Sequence, residues 1–434
     1  MKNYRNLVPV CMVLLLLVSI YSLYDEKSSA QEKYLGYLDA ARDYRAQEIY
    51  VDAEEYYNYA LTEKPTLELY LELGSMYEEA EQVRNVRNLV ENLLLMYPED
   101  PETYEFALRY YAGRNDYATC FQLTETMKKR GMDSQYSRDL IAQFEYSFFF
   151  VSEYEDVGVF GRGMCPVQIG NRWGFVNEKG SQTVSARYTV VGEYSAEGIA
   201  PVVDEEGKAY YIDNAGNKKK VILNVENIQQ LGMIEGDLFA LYDGKVWGFY
   251  NSDGVCLFGG YEQVSNIGNG VAACMKDGKW TLLNAKGEDL TGKTYTGVVM
   301  DEKKIVYRNS RMFVEDGDGY QMIDIQGAVQ GKQKYQDVRL FNDTTYAAVK
   351  IDGLWGFVDK DGKVVIPAQY EEARSFANGM AAVKVDGQWG FIDMEGNIVI
   401  EPQFSGAKDF TGIGTVYVHT GKEWEMLKLY KYNY

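Results

Sequence analysis

The sequence predicts a multidomain α plus all-β protein, and three observations carry this prediction. An apolar run begins near residue 7 and predicts a membrane helix within residues 1–30. Helix breakers recur every thirty-three residues, at Pro65, Pro98 and Gly131, which predicts stacked helix pairs over residues 31–150. A unit of the form W-G-F-x-[DN]-x-x-G then recurs, which predicts tandem β-repeats over residues 151–434.

Composition narrows the classes of function. The formal charge is −20, both predicted domains are acidic, and the largest basic clusters are Lys218 to Lys220 and Lys128 to Arg130. Nucleic-acid binding needs a basic stripe that neutralises phosphates, so nucleic acid is not an expected partner. The five cysteines include no C-x-x-C pair, and His419 is the single histidine. No catalytic, metal-binding or cofactor-binding residues are therefore predicted, and the chain is expected not to be an enzyme.

Residues 1–30 have the pattern of a signal anchor. Lys2 and Arg5 precede an apolar run from Leu7 to about Tyr24, which reaches the lower limit for a membrane-spanning helix. Basic flanking residues stay in the cytoplasm, so a single-pass topology is expected, with the N-terminus in the cytoplasm and the body extracytoplasmic. The alternative is a secreted protein cleaved near Ala30, where the small residues favour a signal peptidase site.

Residues 31–150 have the residue composition and spacing that are typical of helical repeats. Counted back from Pro65, the first unit places Tyr37, Ala41, Tyr57 and Ala60 in a register of alternating large aromatic and small residues. This register resembles the tetratricopeptide repeat (TPR), and later units keep the pattern less completely. The resemblance implies TPR-like helix pairs that approach closely through small residues, with aromatic side chains filling the gaps between pairs.

The same resemblance implies that the first helix of each pair lines a groove that binds a peptide or helix of a protein partner. Rows at i, i+4 and i+7 supply the candidate groove residues: Leu38, Arg42 and Arg45, then Leu71, Ser75 and Glu78, then Tyr104, Leu108 and Tyr111. The alternative is that these helices form only a spacer and a dimer contact. Asp133 to Phe150 is predicted to be one more helix, which caps the stack.

Each β unit divides into short strands. In the last complete unit an alternating run ends at Val385, Asp386-Gly387 signals a two-residue hairpin, and a returning strand starts at Trp389. A turn that ends at Gly396 and a further short strand follow. The unit occurs eight times at spacings of 33 to 40, with its first position at Trp173, Ala209, Trp247, Trp280, Tyr320, Trp355, Trp389 and Trp424.

The first two positions of four units are an intact Trp-Gly pair. The tandem units resemble the bacterial WG-repeat family, which implies a β-rich repeat module with no general enzymatic activity. Because tryptophan recurs at one strand position, we expect a structural core role for Trp173, Trp247, Trp280, Trp355, Trp389 and Trp424. The alternative is a ladder of exposed rings that stack on sugars.

Repetition also assigns structural roles to residues that look reactive. Cys165 and Cys274 stand where other units have alanine, valine or methionine, so we expect them to fill the core. The stretch from Asp359 to Gly362 resembles the beginning of a calcium loop. An Asp or Asn followed three residues later by Gly closes the same hairpin in most units, so this stretch is expected to be a turn.

The two ends of the β region predict how the array is arranged. It begins on the exit part of a unit, at Tyr154, and finishes on the hairpin part of a unit, Val416 to Tyr430. Complementary halves of one repeat favour a closed, propeller-like ring, and an open β-solenoid is the alternative. The sequence thus predicts a non-enzymatic, membrane-anchored, extracytoplasmic scaffold that binds a protein partner. A cell-wall glycan-binding protein is the alternative, and a hydrolase comes third.

Overall fold

The computed structural model describes residues 29–219, 228–342 and 346–432, which belong to two compact units. The helical unit ends at Glu145 and the β unit starts at Tyr146. Helix α1 covers residues 29–46. Six helices follow: α2 (Tyr50–Glu63), α3 (Leu67–Glu79), α4 (Val83–Met96), α5 (Pro101–Ala112), α6 (Tyr117–Lys129) and α7 (Gln135–Ala142).

The predicted helix breakers stand where helices end. Pro65 follows the end of α2, Pro98 follows the end of α4, and Gly131 adopts a φ of 71° just after α6. Side chains then cap the next helices: after Pro65 the Thr66 hydroxyl accepts from Leu69 N at 3.3 Å, and after Pro98 Asp100 Oδ1 accepts from Glu102 N at 3.0 Å. The seven helices are therefore compatible with helical repeats of the predicted period.

Small residues permit close helix packing in this unit. Ala41, Ala53 and Ala60 are fully buried in the same apolar cluster as Tyr57. A Cβ atom on Gly74 would lie only 2.5 Å from the ring of Phe106. The small residues therefore recur because neighbouring helices approach too closely at these positions to admit larger side chains.

The prediction of a capping helix from Asp133 to Phe150 is wrong at its C-terminal end. Helix α7 stops at Ala142, and Phe148–Tyr154 forms strand β1 of the β unit. Aromatic residues suit a pleated sheet, and this segment pairs antiparallel with β31 along its length, with one bulge between Phe150 and Ser152. The β unit thus begins at Tyr146, five residues before the predicted boundary.

The β unit is an eight-bladed propeller whose first seven blades are continuous in sequence. Blade 1 contains β2 (Asp156–Val157), β3 (Met164–Ile169), β4 (Arg172–Asn177) and β5 (Gln182–Tyr188); blade 2 contains β6 (Val190–Val191), β7 (Ile199–Val203), β8 (Ala209–Asp213) and β9 (Lys218–Lys219). Blade 3 contains β10 (Gln230–Glu235), β11 (Leu238–Tyr242), β12 (Trp247–Tyr250) and β13 (Cys256–Tyr261); blade 4 contains β14 (Gln263–Val264), β15 (Val271–Lys276) and β16 (Lys279–Asn284). Blade 5 contains β17 (Gly297–Val298), β18 (Met312–Glu315), β19 (Tyr320–Ile323) and β20 (Val329–Tyr335); blade 6 contains β21 (Asp337–Val338), β22 (Ala347–Ile351), β23 (Leu354–Val358) and β24 (Val364–Tyr370). Blade 7 contains β25 (Glu372–Ala373), β26 (Ala381–Val385), β27 (Gln388–Ile392) and β28 (Ile398–Phe404).

The eighth blade closes the ring with strands from both ends of the β unit. It contains β29 (Gly406–Ala407), β30 (Thr415–His419), β31 (Trp424–Leu429) and, on the outside, β1. Strand β1 pairs antiparallel with β31, from Phe148 opposite Leu429 to Tyr154 opposite Trp424. The predicted eight units and their closed ring are confirmed, and an open solenoid is excluded. A 3₁₀ turn, Tyr430–Tyr432, follows.

The glycine of the Trp-Gly pair is required by a close backbone crossing. A Cβ atom on Gly356 would lie 2.6 Å from Ala368 N and 2.7 Å from Ile366 O, in the bulged fourth strand of blade 6. Gln321 takes this position in blade 5, where the fourth strand inserts one more residue than it does opposite Gly356. In blade 8, Glu425 pairs with Glu153 in the regular part of β1, away from the bulge between Phe150 and Ser152. The glycine thus occurs where the fourth strand has the shorter bulge, as it does opposite Gly356.

The tryptophans of the repeats pack against apolar clusters between blades. Trp280, Trp355 and Trp389 are buried. Trp173, Trp247 and Trp424 are half-buried and contact neighbouring clusters.

The third and fourth strands are joined by turns that use the side chain of an Asp or Asn. Asp359 Oδ1 accepts hydrogen bonds from Asp361 N and Lys363 N, both at 2.9 Å, and Gly362 has a φ of 75°. Asp393 makes the same contacts in blade 7. This carboxylate is therefore part of the turn chemistry that the repeated D-x-x-G predicts.

Within the described residues, no helix combines the length and the apolarity needed to cross a bilayer. The predicted membrane segment, 1–30, lies outside the described residues except for its last two positions.

Candidate functional site

The first strands of the blades present equivalent residues around the propeller axis. The residue after each short first strand donates its backbone N–H to the second strand: Arg339 N to Ala348 O, and Arg374 N to Ala382 O, both at 2.9 Å. Lys408 occupies the same position in blade 8. The equivalent residues of the other blades with a two-residue first strand are Gly158, Gly192, Ser265 and Val299. Three consecutive blades therefore direct cationic residues to a position that is small or apolar elsewhere.

These residues line a cavity of about 500 Å³ formed by blades 1, 5, 6, 7 and 8. Its described lining includes six basic and four acidic side chains, a formal excess of two positive charges in a chain whose net charge is −20. The charged side chains are Arg162, Lys303, Arg308, Arg339, Arg374, Lys408, Glu178, Asp301, Glu302 and Asp409. The cavity wall therefore has the opposite charge balance to the chain as a whole.

A long loop of blade 5, residues 299–311 between β17 and β18, reaches this cavity and is held at two points. The Asp301 carboxylate pairs with the Arg308 guanidinium at 2.9 Å within the loop. Asn266 of blade 4 donates Nδ2–H to Lys303 O at 2.7 Å, and its backbone N–H to Lys304 O at 2.8 Å. These contacts place the intervening Glu302 at the cavity.

Glu302, Arg374, Lys408 and Asp409 form an ion-pair network in the cavity. Arg374 donates Nε–H to Asp409 Oδ1 at 2.6 Å and Nη2–H to Glu302 Oε2 at 3.0 Å. Lys408 Nζ donates to Glu302 Oε1 at 2.9 Å. Glu302 thus bridges cations from blades 7 and 8, and Arg374 lies between two carboxylates.

The network shifts the protonation equilibria of its members. Burial alone lowers the pKa of Arg374, but attraction by Asp409 and Glu302 outweighs burial and raises that pKa above its ordinary value. For Glu302, burial favours the neutral acid, yet Arg374 and Lys408 hold its pKa below the ordinary value of 4.5. Both groups are therefore charged at neutral pH.

Arg339 differs from Arg374 and Lys408, the other two cations at equivalent positions. Its guanidinium lies 5.5 Å from the centre of the Trp355 ring, and its side chain is exposed. Among the described residues no carboxylate lies within ion-pair distance of it. Arg339 is therefore a cation at the cavity whose charge is not neutralised by a direct partner.

Glu193 lies at a smaller adjoining cavity of about 190 Å³, to which Glu302 also contributes. Burial raises the pKa of the Glu193 carboxyl to about 7, and the nearby Glu302 and Asp301 carboxylates favour the same direction. This residue therefore changes charge near neutral pH.

The predicted peptide groove of the helical unit is only partly present. Leu38, Tyr104 and Leu108 are buried, so they do not line an open groove, and this part of the prediction is wrong. The helices pack more closely on these positions than the i, i+4, i+7 spacing alone indicates. Apart from the two arginines, the remaining positions are half-exposed or exposed: Leu71, Ser75, Glu78 and Tyr111.

The two arginines of the predicted groove join helices α1 and α3. Arg42 forms a two-pronged pair with Glu72, with both contacts at 2.8 Å, and Arg45 forms another with Glu79. Tyr57 donates its hydroxyl to the same Glu72 carboxylate at 2.9 Å. Both arginines therefore already hold structural partners.

The cavity residues were missed by the sequence reasoning, although a signal for them exists. The last three units read Val338-Arg339-Leu340-Phe341, Ala373-Arg374-Ser375-Phe376 and Ala407-Lys408-Asp409-Phe410. A basic residue two positions before a buried phenylalanine recurs in register with the Trp-Gly unit. Its meaning depends on the knowledge that this position faces the axis.

The fold and the cavity define a tandem-repeat β-propeller with a charged central site. Three segments, residues 173–208, 355–389 and 389–418, match the family model for the WG containing repeat. No curated protein matches the chain.

Solved structures show a distant likeness to the chain. BamB from Moraxella catarrhalis has 12% identity and a TM-score of 0.42, over 65% of this chain and 99% of that chain. Kluyveromyces lactis Hsv2p has 9% identity and a TM-score of 0.37, over 56% of this chain and 93% of that chain. The AfRom2 CNH domain has 7% identity and a TM-score of 0.35, over 65% of this chain and 99% of that chain.

Proposed function

We propose that this protein is a non-enzymatic interaction scaffold in which the propeller presents a binding surface and the helical unit recruits a protein partner. The observation that carries the proposal is the convergence of charged side chains from five blades on one cavity. Such side chains recognise a partner through charge and hydrogen bonds, and the basic residues at equivalent positions form a single surface.

The helical unit supports a second contact surface. Val51 is 77% exposed and Leu95 is 80% exposed, so large apolar side chains remain available on helices α2 and α4. On helices α3 and α5, Leu71 and Tyr111 are half-exposed and offer further apolar contacts of the kind that a partner helix or peptide would use. TPR-like recognition by this unit is part of the proposal.

We further propose that residues 1–30 anchor the chain in a membrane and that the remainder is extracytoplasmic. Lys2 and Arg5 before the apolar run support this orientation. Protease added to intact cells should then digest the body, whereas the opposite orientation would require permeabilised cells. Release of a chain that starts near Ala30 into the medium would establish the secreted alternative.

Crosslinking in living cells tests the scaffold proposal with the full-length chain. A tagged chain should capture the same protein from independent cultures. A variant with Val51→Asp and Leu95→Asp changes two exposed apolar side chains and should lose a partner bound by the helical unit, and Val190→Asp, at an exposed apolar position of the propeller, is the control. If neither the parent chain nor any variant captures a protein, the scaffold proposal fails.

The glycan-binding alternative has less support. Trp280, Trp355 and Trp389 are buried, so they offer no ring face to a sugar. Co-sedimentation of the full-length chain with purified cell-wall polymer is the direct test. Saturable binding that survives loss of the protein partner would establish the glycan function in place of the scaffold.

A further inference from the structure

We propose that the cavity at the propeller axis binds a ligand that carries carboxylates, and that Glu302 occupies part of this site when no ligand is bound. This inference deepens the proposed scaffold function by giving the propeller surface a ligand chemistry, and it rests on that function for the source of the ligand. Four observations support it.

The first observation is the placement of the cations. Arg339, Arg374 and Lys408 follow the first strands of blades 6, 7 and 8, at structurally equivalent positions. Adjacent blades therefore hold three cations along one wall of the cavity. An anion with more than one charged group matches a row of cations better than it matches a single cation.

The second observation is the way Glu302 is held. Its two carboxylate oxygens accept from Lys408 Nζ at 2.9 Å and from Arg374 Nη2 at 3.0 Å. This is the geometry by which the wall binds a carboxylate, and it is provided here by the chain's own side chain. Arginine matches the planar, two-oxygen shape of a carboxylate, which favours carboxylate over a spherical anion.

The third observation is accessibility. The Glu302 side chain is 37% exposed, whereas those of Arg374 and Lys408 are each 19% exposed. An incoming carboxylate can therefore approach the same two cations as Glu302 withdraws into solvent. The 299–311 loop is anchored to blade 4 through Asn266 and is braced internally by the Asp301–Arg308 pair, so Glu302 can move without release of the loop.

The fourth observation is the state of Arg339. It lines the same cavity, is exposed, and has no ion-pair partner among the described residues. A ligand with two or more carboxylates can bind Arg339 with one of them and replace Glu302 with another. A cavity of about 500 Å³ lies within the usual range for ligand sites, roughly 300–1,000 Å³.

Two sources could supply this chemistry, an acidic segment of the scaffold's protein partner or a small polycarboxylate. Calorimetric titration of the purified full-length chain in mild detergent distinguishes them. The probes are a short polyglutamate peptide, citrate and inorganic phosphate, with a polyglutamine peptide as the uncharged control. Each probe is titrated at low and at high ionic strength, because ionic contacts weaken as salt screens them.

Three variants locate the binding. Arg339→Gln should weaken polyglutamate binding by about tenfold, the usual effect of losing one charge-assisted contact. Glu302→Gln should strengthen binding by about tenfold, because the internal competitor loses its charge. Lys363→Gln is the matched control: it removes one positive charge from an exposed turn of blade 6, outside the cavity, and should leave binding unchanged.

Each outcome decides a part of the proposal. Binding of polyglutamate alone supports an acidic segment of a partner, and binding of citrate alone supports a small polycarboxylate. If neither the parent nor Glu302→Gln binds any probe, the proposed site is wrong. The site is also wrong if Arg339→Gln and the parent bind the probes with equal affinity. Phosphate that binds more tightly than both carboxylate probes overturns the ligand chemistry. If Arg339→Gln weakens binding but Glu302→Gln does not change it, the role given to Glu302 is wrong.

Failure of this titration is separate from failure of the scaffold proposal. Crosslinking in cells reports capture by any surface of the chain, whereas the titration reports one cavity. Partner capture without carboxylate binding would therefore leave the scaffold function standing and overturn the site alone.

Discussion

Glu302 lies 72 residues before Arg374 in the chain, yet its Oε2 accepts a hydrogen bond from Arg374 Nη2 at 3.0 Å. Glu302 belongs to the long loop of blade 5, and Arg374 follows the first strand of blade 7. The contact therefore spans two blades that are not neighbours in the ring. It exists only because the propeller closes around a common axis. The cavity therefore forms only when the blades are assembled into the ring.

Loss of Arg374 should destabilise the propeller. Arg374→Gln leaves Glu302 and Asp409 without their shared guanidinium, and we expect about 2 kcal/mol less stability. Denaturant unfolding at neutral pH measures this difference. Lys363→Gln, which also removes one positive charge from the described surface of the propeller, should change stability by less than about 0.5 kcal/mol. Equal losses in the two variants would show that the network contributes nothing specific.

The Trp-Gly glycine should tolerate no side chain. Gly356→Ala places a Cβ atom 2.6 Å from Ala368 N, so the bulged strand has to shift, and we expect a loss of about 1–3 kcal/mol. Gly36→Ala is the matched control, because its Cβ atom meets nothing within 4 Å and it lies in a helix. That change should be neutral or stabilise by roughly 0.5–1 kcal/mol. Thermal melting of both variants compares them, and equal melting temperatures would contradict this explanation of the motif.

The tryptophans should matter in proportion to their burial. Trp355→Ala and Trp389→Ala should each cost about 3–5 kcal/mol, as truncations of large aromatic residues in packed cores do. Trp173 is half-buried, so Trp173→Ala should cost less than either. Denaturant unfolding gives the order. Variants that melt like the parent but lose binding to a wall polymer would instead favour the glycan function.

Glu193 should make stability depend on pH. Burial raises its pKa in the folded chain to about 7, above the ordinary value of 4.5, so between these pH values the folded state holds a proton that the unfolded chain has released. The stabilisation is present below about pH 4.5 and is lost as pH rises towards about 7. The melting temperature should therefore fall less between about pH 5 and about pH 8 in Glu193→Gln than it does in the parent.

The pH comparison has an internal control. Glu206→Gln changes an exposed glutamate of the same blade and should leave the pH dependence of the parent intact. If the melting temperature of Glu193→Gln changes with pH as much as that of the parent, other groups cause the pH dependence.

Reversal of charge at Arg42 and Arg45 should weaken the helical unit. In the combined Arg42→Glu, Arg45→Glu variant the new carboxylates meet Glu72 and Glu79, and two contacts between α1 and α3 become repulsive. Because these pairs are partly exposed, we expect a loss of about 1–2 kcal/mol. Loss of helical circular dichroism at a lower temperature measures it. Unchanged melting would show that the pairs do not stabilise the unit.

Much of the architecture is determined by the sequence alone. The positions from Trp173 to Trp424 count the blades, and the exit fragment at Tyr154 predicts a ring closed by the two ends of the β unit, although the strand that closes it, β1, starts in residues predicted to be helical. Pro65 and Pro98 locate ends of helices. These features are readable because they are local or periodic: a turn, a helix stop or a strand register is decided by residues close together in the chain.

Only the tertiary structure decided which side chains meet. Arg339, Arg374 and Lys408 lie one repeat apart in sequence and form one wall because each follows the first strand of a blade in a closed ring. Glu302 joins them because a loop of one blade reaches the axis, which no repeat pattern specifies. The burial of Leu108 depends in the same way on how closely neighbouring helices pack. Contacts across many residues depend on the geometry of the whole fold, and a short sequence pattern does not contain that geometry.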